Sequence, residues 1–171
     1  DGSRRVLTEG QQQHGSPRWS PDGKRIAALT WRNEARKTGK RDLAIVDAAT
    51  GQSRVVTADL DLWPERATWV DDDRVVFAHD WRGHHVIRLL DVRTGETRLL
   101  TERGNASDPR VTPDGQHVLF VLDRIDDAPD LWRVAVAGGE PERVGMLNAD
   151  KLEGLAMSGS ESHVVPGAGG R

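Results

Sequence analysis

The sequence predicts an all-β fold built from a repeated four-stranded antiparallel unit, and three observations predict it. Thr50-Gly51-Gln52-Ser53-Arg54-Val55-Val56-Thr57 aligns without gaps on Thr94-Gly95-Glu96-Thr97-Arg98-Leu99-Leu100-Thr101, and Asp1-Gly2-Ser3-Arg4-Arg5-Val6-Leu7-Thr8 fits the same eight positions. A weaker copy, Gly138-Gly139-Glu140-Pro141-Glu142-Arg143-Val144, keeps the spacing: Gly51 to Gly95 is 44 residues and Gly95 to Gly139 is 44 again. Between these copies, Pro17-Arg18-Trp19-Ser20-Pro21-Asp22-Gly23 recurs as Pro109-Arg110-Val111-Thr112-Pro113-Asp114-Gly115, with Arg66–Asp73 as a degenerate middle copy.

Each unit reads as strand a, turn, strand b, loop, strand c, turn, strand d. Strand a is short and ends in Trp or Val. The Pro-Asp-Gly turn follows, with Pro where φ is preset near -65° and Gly where φ must be positive. Strand b (25–31, 74–78, 117–122) is almost wholly apolar, as expected of a strand buried between neighbouring layers. Strand c (42–47, 85–91, 130–137) alternates less cleanly, and a Thr-Gly turn sends the chain into strand d. Four antiparallel strands per period of about 40–50 residues is the β-propeller pattern. A helical repeat of that length does not fit units dense in Val, Trp and Thr and broken by Pro-Asp-Gly.

The expected layout is strand d of a preceding blade at residues 1–8, then blades at about 12–57, 58–101 and 102–144. Propellers close with about 4–8 blades, so three blades and a stray outer strand do not make a ring. The open ends would expose apolar blade faces, which calls for the remaining blades of a longer polypeptide or for association of copies of the chain.

Composition narrows the function classes. Basic and acidic residues nearly cancel, 24 against 27, which leaves no footprint for nucleic acid. Mean hydropathy is -0.59, and no apolar run approaches the roughly 18 residues of a membrane span. There is no cysteine, which removes disulfides, thiolate zinc and thiol catalysis from these residues. No cofactor is expected. A cytoplasmic location is the expectation, with periplasm or secretion left open.

The pattern Trp-Ser-Pro-Asp-Gly-Lys-x-Ile-Ala at residues 19–27 resembles the TolB-type propeller repeat, shared by periplasmic TolB and by propeller domains of prolyl-oligopeptidase-family serine peptidases. Residues 147–158 break the repeat, and Ser160–Val165 and Gly167–Arg171 follow. This stretch is similar to the segment by which acylaminoacyl-peptidase-like members leave the propeller for their hydrolase domain. The resemblance implies that residues 147–171 form a short helix or irregular crossover toward an α/β-hydrolase domain outside these residues. It further implies a propeller that gates short peptides toward a Ser-Asp-His triad. No triad residue is present, since Gly-x-Ser-x-Gly is missing and Gly154–Gly159 has the wrong spacing. Two alternatives are a TolB-like module that binds proteins and a metal-dependent sugar or lactone enzyme.

Other candidates have simpler readings. His84 and His85 are adjacent on a strand and point to opposite faces. Asp71-Asp72-Asp73 occupies the Pro-Asp-Gly position and reads as an acidic turn rather than a calcium site. Ser107-Asp108 with His117 lacks an oxyanion motif. Trp19 and Trp69 share a repeat position and are expected to pack blade on blade. The d-to-a and b-to-c connections share one face and are expected to be the long ones: 60–64, 32–41, 80–84 and 123–129. On that face Trp63, Arg66, Trp81 and Arg82 are the candidates for contact with a partner domain or the substrate path.

Overall fold

The computed structural model describes residues 2–8, 12–34, 37–146 and 149–159, with Glu161, His163, Val165 and Gly167 beyond them. Blade 1 contains β1 (Gln12–Trp19), β2 (Arg25–Glu34), β3 (Lys37–Thr38), β4 (Asp42–Asp47) and β5 (Ser53–Val55). Blade 2 contains β6 (Glu65–Trp69), β7 (Arg74–Trp81), β8 (His84–Asp91) and β9 (Thr97–Leu99). Blade 3 contains β10 (Asn105–Val111), β11 (His117–Arg124), β12 (Asp127–Ala135) and β13 (Glu142–Arg143). Within each blade a pairs b, b pairs c and c pairs d, all antiparallel. Blades 2 and 3 are stitched at one point, where Asn105 pairs in parallel with His85. Residues 2–8 join no sheet.

The turn chemistry follows from the repeat. Ser20 Oγ donates to Asp22 at 2.6 Å, and Asp22 also accepts the Lys24 amide at 3.0 Å. Blade 3 repeats this with Thr112 Oγ1 on Asp114 at 2.5 Å and the Gln116 amide at 3.0 Å. These bonds favour the ionised carboxylate, so Asp22 is held below its ordinary pKa first by the Ser20 hydroxyl and Asp114 first by the Thr112 hydroxyl. The degenerate turn of blade 2 reaches the same end differently. Asp71 accepts the amides of Asp73 (3.0 Å) and Arg74 (2.8 Å) and pairs with the Arg74 side chain. Asp72 takes the Asp22 amide of blade 1, and Asp73 pairs with Arg25 and Arg93. All three carboxylates are therefore engaged by the protein's own donors, as an acidic turn requires. At the c–d turns Asp47 and Asp91 accept successive backbone amides, while Gly51 and Gly95 take φ near 77° and 80°.

The apolar residues of strands b and c point alternately to the two blade faces, which produces two cores. Ala27, Leu29, Leu43 and Ile45 of blade 1 meet Trp69, Val75, Phe77 and Leu90 of blade 2. Val76, Ile87 and Leu89 of blade 2 meet Val118, Phe120 and Val134 of blade 3. Phe77 and Phe120 are fully buried, each side chain stabilising its junction by about 1.5–3 kcal/mol. Trp69 packs as expected, 7% exposed, and donates its indole N–H to the Arg18 carbonyl of blade 1 at 2.9 Å. Trp19, at the same repeat position, is 60% exposed.

One expectation changes. The b–c connections are not long loops in blades 2 and 3, because β7–β8 and β11–β12 run on into two-residue hairpin turns at Arg82-Gly83 and Ile125-Asp126. Arg82 and Gly83 both take positive φ (50° and 81°), the primed-turn geometry that matches strand twist. In blade 1 the corresponding hairpin is lengthened by β3. After blade 3, α1 (Ala149–Leu152) is a short helix, and Leu155–Gly159 is exposed and irregular. Leu147, Asn148, Ser160, Ser162, Val164, Pro166 and 168–171 lie outside the described residues, so the expected strand and turn there are not described; Glu161, His163 and Val165 are in no strand. Among the described residues no helix is long and apolar enough to cross a membrane.

Candidate functional site

The d-to-a connections and the b–c hairpin tips share one face, as antiparallel topology demands. The His85 amide, second residue of β8, donates to the Gly104 carbonyl just before β10 at 3.1 Å. Blade 1 is tied to the lead-in of blade 2 on the same side. Lys40 Nζ donates to the carbonyls of Thr57, Ala58 and Leu60 at 3.2, 3.0 and 2.6 Å, and Arg41 pairs with Glu65 at 2.8 Å. This gives the 58–64 segment a fixed course across the face.

The four expected residues fall into separate settings. Trp63 stands half out of this segment, 49% exposed, ahead of buried Pro64. Trp81 and Arg82 occupy the β7–β8 tip, with the Arg82 guanidinium 4.8 Å from the indole centroid. The negative face of the ring attracts the guanidinium and holds the two side chains together at the tip. Arg66 is not on the loop. It lies inside β6, exposed, and pairs with Asp108 of blade 3 at 3.2 Å. Ile125, at the β11–β12 tip and 72% exposed, adds an apolar group to the same face.

Arg66 belongs to a feature that sequence reasoning did not identify. Each strand a carries a β-bulge, between Gly15 and Arg18, Glu65 and Thr68, and Ser107 and Arg110. The bulged residues Ser16, Arg66 and Asp108 sit at one repeat position and take φ of 50°, 52° and 50°. Positive φ costs a non-glycine residue about 1–3 kcal/mol, and here it recurs in three consecutive innermost strands. Bulges re-aim side chains, and this one turns Arg66 and Asp108 toward each other across a blade boundary. The sequence signal is the Ser-Pro and Asp-Pro pairs at 16–17 and 108–109.

A second unforeseen cluster lies just behind the Trp81 tip. His79 is buried, donates from Nδ1 to the Asp80 carbonyl (2.8 Å), and receives Arg88 Nε on Nε2 at 2.9 Å. Burial first, and the Arg88 charge after the opposing Asp80 bond, keep its imidazole below the usual pKa. His85 pairs instead with Asp80 at 2.8 Å, so the His84-His85 dyad is not gathered on one ligand. Ser107 pairs with Val121 toward one end of β10–β11 while His117 opens β11 at the other, which separates that trio too.

The opposite face is the structural one. Its open groove of about 340 Å3 between blades 1 and 2 is lined by Arg25, Asp47, Arg54 and Arg93 among others. Those cations are already spent: Arg25 and Arg93 pair with Asp73, and Arg54 donates to the Val92 carbonyl.

Consecutive four-stranded blades stacked face to face, with their inner strands side by side, define a segment of β-propeller. The chain belongs to the PD40 family, the TolB beta propeller domain, which matches residues 1–165. Among curated proteins none shows significant sequence similarity to it. Among solved structures, TolB from Acinetobacter baumannii is 24% identical with a TM-score of 0.65 over 82% of this chain and 34% of that one. The propeller domain of the Trilobed protease from Pyrococcus furiosus, described as having an open velcro topology, is 17% identical with a TM-score of 0.65 over 86% and 42%. Acylaminoacyl peptidase from Pyrococcus horikoshii is 18% identical with a TM-score of 0.62 over 78% and 20%. At these identities the likeness is one of fold, and the chain spans about a third of the Acinetobacter TolB.

Proposed function

We propose that these blades belong to a larger propeller that gates short peptides or acyl-peptides toward an α/β-hydrolase domain of the same polypeptide, itself carrying no catalytic residue. The observation that carries the reading is the run of residues that leaves the repeat after blade 3: α1 and the exposed 153–159 segment follow the last strand d, where peptidases of this type pass to their hydrolase domain. The face bearing Trp63, Ile125 and the Trp81–Arg82 stack would meet that domain or the substrate path. Fold likeness to acylaminoacyl peptidase and to puromycin hydrolase supports the reading. The test is labelling of the native polypeptide with a serine-directed fluorophosphonate, followed with an antibody against this chain. A labelled band larger than the 18.9 kDa of these residues by a hydrolase domain is expected. An unlabelled polypeptide, with no peptide hydrolysis copurifying, refutes the reading.

A second reading is a TolB-like module that binds a protein on the same face, favoured by the Acinetobacter TolB likeness. Under it the native polypeptide stays unlabelled, and alanine at Trp63 and Trp81 abolishes capture of a protein partner.

A further inference from the structure

We propose that His79 and Arg88 form an acid-released latch on the β7–β8 tip: a proton on His79 frees Arg88 and lets the tip, with Trp81 and Arg82, leave its place on the face. Only the identity of what that face meets rests on the reading above. The hairpin ends in two rungs, Asp80–His85 and Trp81–His84, and the turn at Arg82-Gly83. His79 is the last buried side chain of β7 before them, 1% exposed. It lies on the face of β7 that carries Val75 and Phe77 into the blade 1–blade 2 core. Trp81 is the next residue on that same face.

The contacts of His79 require a neutral ring. Its Nδ1 donates to the Asp80 carbonyl at 2.8 Å, which leaves Nε2 to accept Arg88 Nε–H at 2.9 Å. A proton on Nε2 sets N–H against N–H and cation against cation. The carboxylate of Asp80 does not offset this, because it lies on the opposite face of the hairpin and is paired with His85 at 2.8 Å. On the neighbouring β6, Glu65 is held by Arg41 of blade 1 at 2.8 Å, and Arg66 by Asp108 of β10 at 3.2 Å. Lys40 of blade 1 pairs with Asp42 at 3.2 Å. Arg25 and Arg74 pair with Asp73 and Asp71 at the far end of the junction, and His84, opposite Trp81, brings no negative charge. Arg88 itself pairs with no carboxylate among the described residues; its other bond is to the uncharged Thr97 hydroxyl of β9 at 3.0 Å.

The device is confined to one blade. At the repeat positions of His79 and Arg88, blade 1 has Thr30 and Ala44 and blade 3 has Leu122 and Trp132, none of which titrates. The β11–β12 tip is therefore an internal control. Acid acts in the opening direction. Burial, first, holds the imidazole below its ordinary pKa while the tip is closed, and an opened tip returns the ring to water, near about 6.5. The open form thus takes the proton as pH falls below about 6.5. Its population rises by at most about tenfold per pH unit, the limit for uptake of one proton. A histidine that changes charge in this range biases whichever of two local states exposes it.

Trp81 reads the tip by acrylamide quenching at pH 7 and pH 5, taken as the difference between each protein and its Trp81→Phe variant. The expected result is a severalfold rise in Trp81 quenching in acid with the β-sheet circular dichroism unchanged. His79→Gln, whose amide donates and accepts as the neutral imidazole does but does not titrate, should abolish the rise. Equal quenching at the two pH values overturns the proposal, as does an equal rise in His79→Gln or a rise that comes only with loss of the β-sheet signal. If His79→Gln does not fold, hydrogen exchange of the unmodified chain, corrected for intrinsic rates, decides. Protection at 79–86 should then fall severalfold from pH 7 to 5 while that at 122–127 in the control hairpin holds. Loss in both hairpins together, or in neither, overturns the proposal. No peptide or partner protein enters these readouts, so the latch stands or fails separately from the gating reading.

Discussion

Trp69 and Trp19 are the same residue at the same repeat position in opposite surroundings, which makes their alanine substitutions a controlled comparison. Trp69 is 7% exposed within the blade 1–blade 2 core, and its indole N–H holds the Arg18 carbonyl. Truncating a buried Trp to Ala costs about 3–5 kcal/mol through lost burial and the cavity left behind. For a chain of this length that is roughly 6–20 °C in Tm at about 2–4 °C per kcal/mol. Trp69→Phe keeps most of the ring and removes the hydrogen bond, so about 1 kcal/mol is expected. Trp19 is 60% exposed, and its replacement by Ala should stay within about 0.5 kcal/mol. Calorimetry and urea titration followed by circular dichroism give both numbers on the chain alone. A loss under about 1 kcal/mol at Trp69, or an equal loss at Trp19, would refute the claim that the repeat position acts through blade stacking.

Further outcomes follow from the turns, the buried histidine and the clamps. Gly51 and Gly95 share a positive φ, but a Cβ on Gly51 would collide with the Leu7 carbonyl oxygen, whereas Gly95 has nothing within 4 Å. Gly95→Ala should thus cost only the backbone strain, about 1 kcal/mol, while Gly51→Ala costs more because the main chain at Leu7 must also shift, a difference that urea titration of the two variants reads. His79 has a lowered folded pKa, so its contribution is complete above the unfolded value of about 6.5 and is lost as pH falls below it, because the unfolded chain takes up the proton first. Stability measured by urea titration should fall from pH 7 to 5 by at most about 1.4 kcal/mol per unit for this one group, and His79→Gln should flatten that limb. Arg98→Met should lose about 1 kcal/mol through its bonds to Val136 and Ala137, whereas Glu142→Met at the same repeat position should lose less, its bonds being an exposed pair with Arg133.

The blades were legible because their information is local. Pro-Asp-Gly and Thr-Gly turns place glycine where φ is positive, and apolar strand b marks the buried layer; both signals survive in a single sequence. The degenerate turn at Asp71–Asp73 shows how far this goes, since its carboxylates replace the missing Ser-Pro-Asp bonds with amides of their own. Connection geometry was less legible. Arg82-Gly83 and Ile125-Asp126 look like parts of longer loops, yet strand pairing continues past the apolar run until a two-residue turn closes it. Periodicity stops reporting a strand where both faces become wet, and only cross-strand register shows that the ladder goes on.

The candidate site was legible in part, for a related reason. Trp63 and the Trp81–Arg82 pair stand out because they interrupt the repeat, and the structure puts them on the face that topology assigns. Arg66 stands out only as a charge near Trp69, and its setting depends on a backbone conformation shared with Ser16 and Asp108. No residue type announces a positive φ in three different side chains. The cue is relational: the same bulge, at the same distance before Trp19, Trp69 and Val111, found once the blades are superposed in sequence. The same superposition aligns Arg5, Arg54 and Arg98, and then meets Glu142. In a repeat protein, therefore, function and assembly are better sought in departures from a repeat position than in the residues that keep it. Glu142, bonded to Arg133 where Arg54 and Arg98 reach main-chain carbonyls of the next blade, and Trp19, exposed where Trp69 is buried, are two such departures.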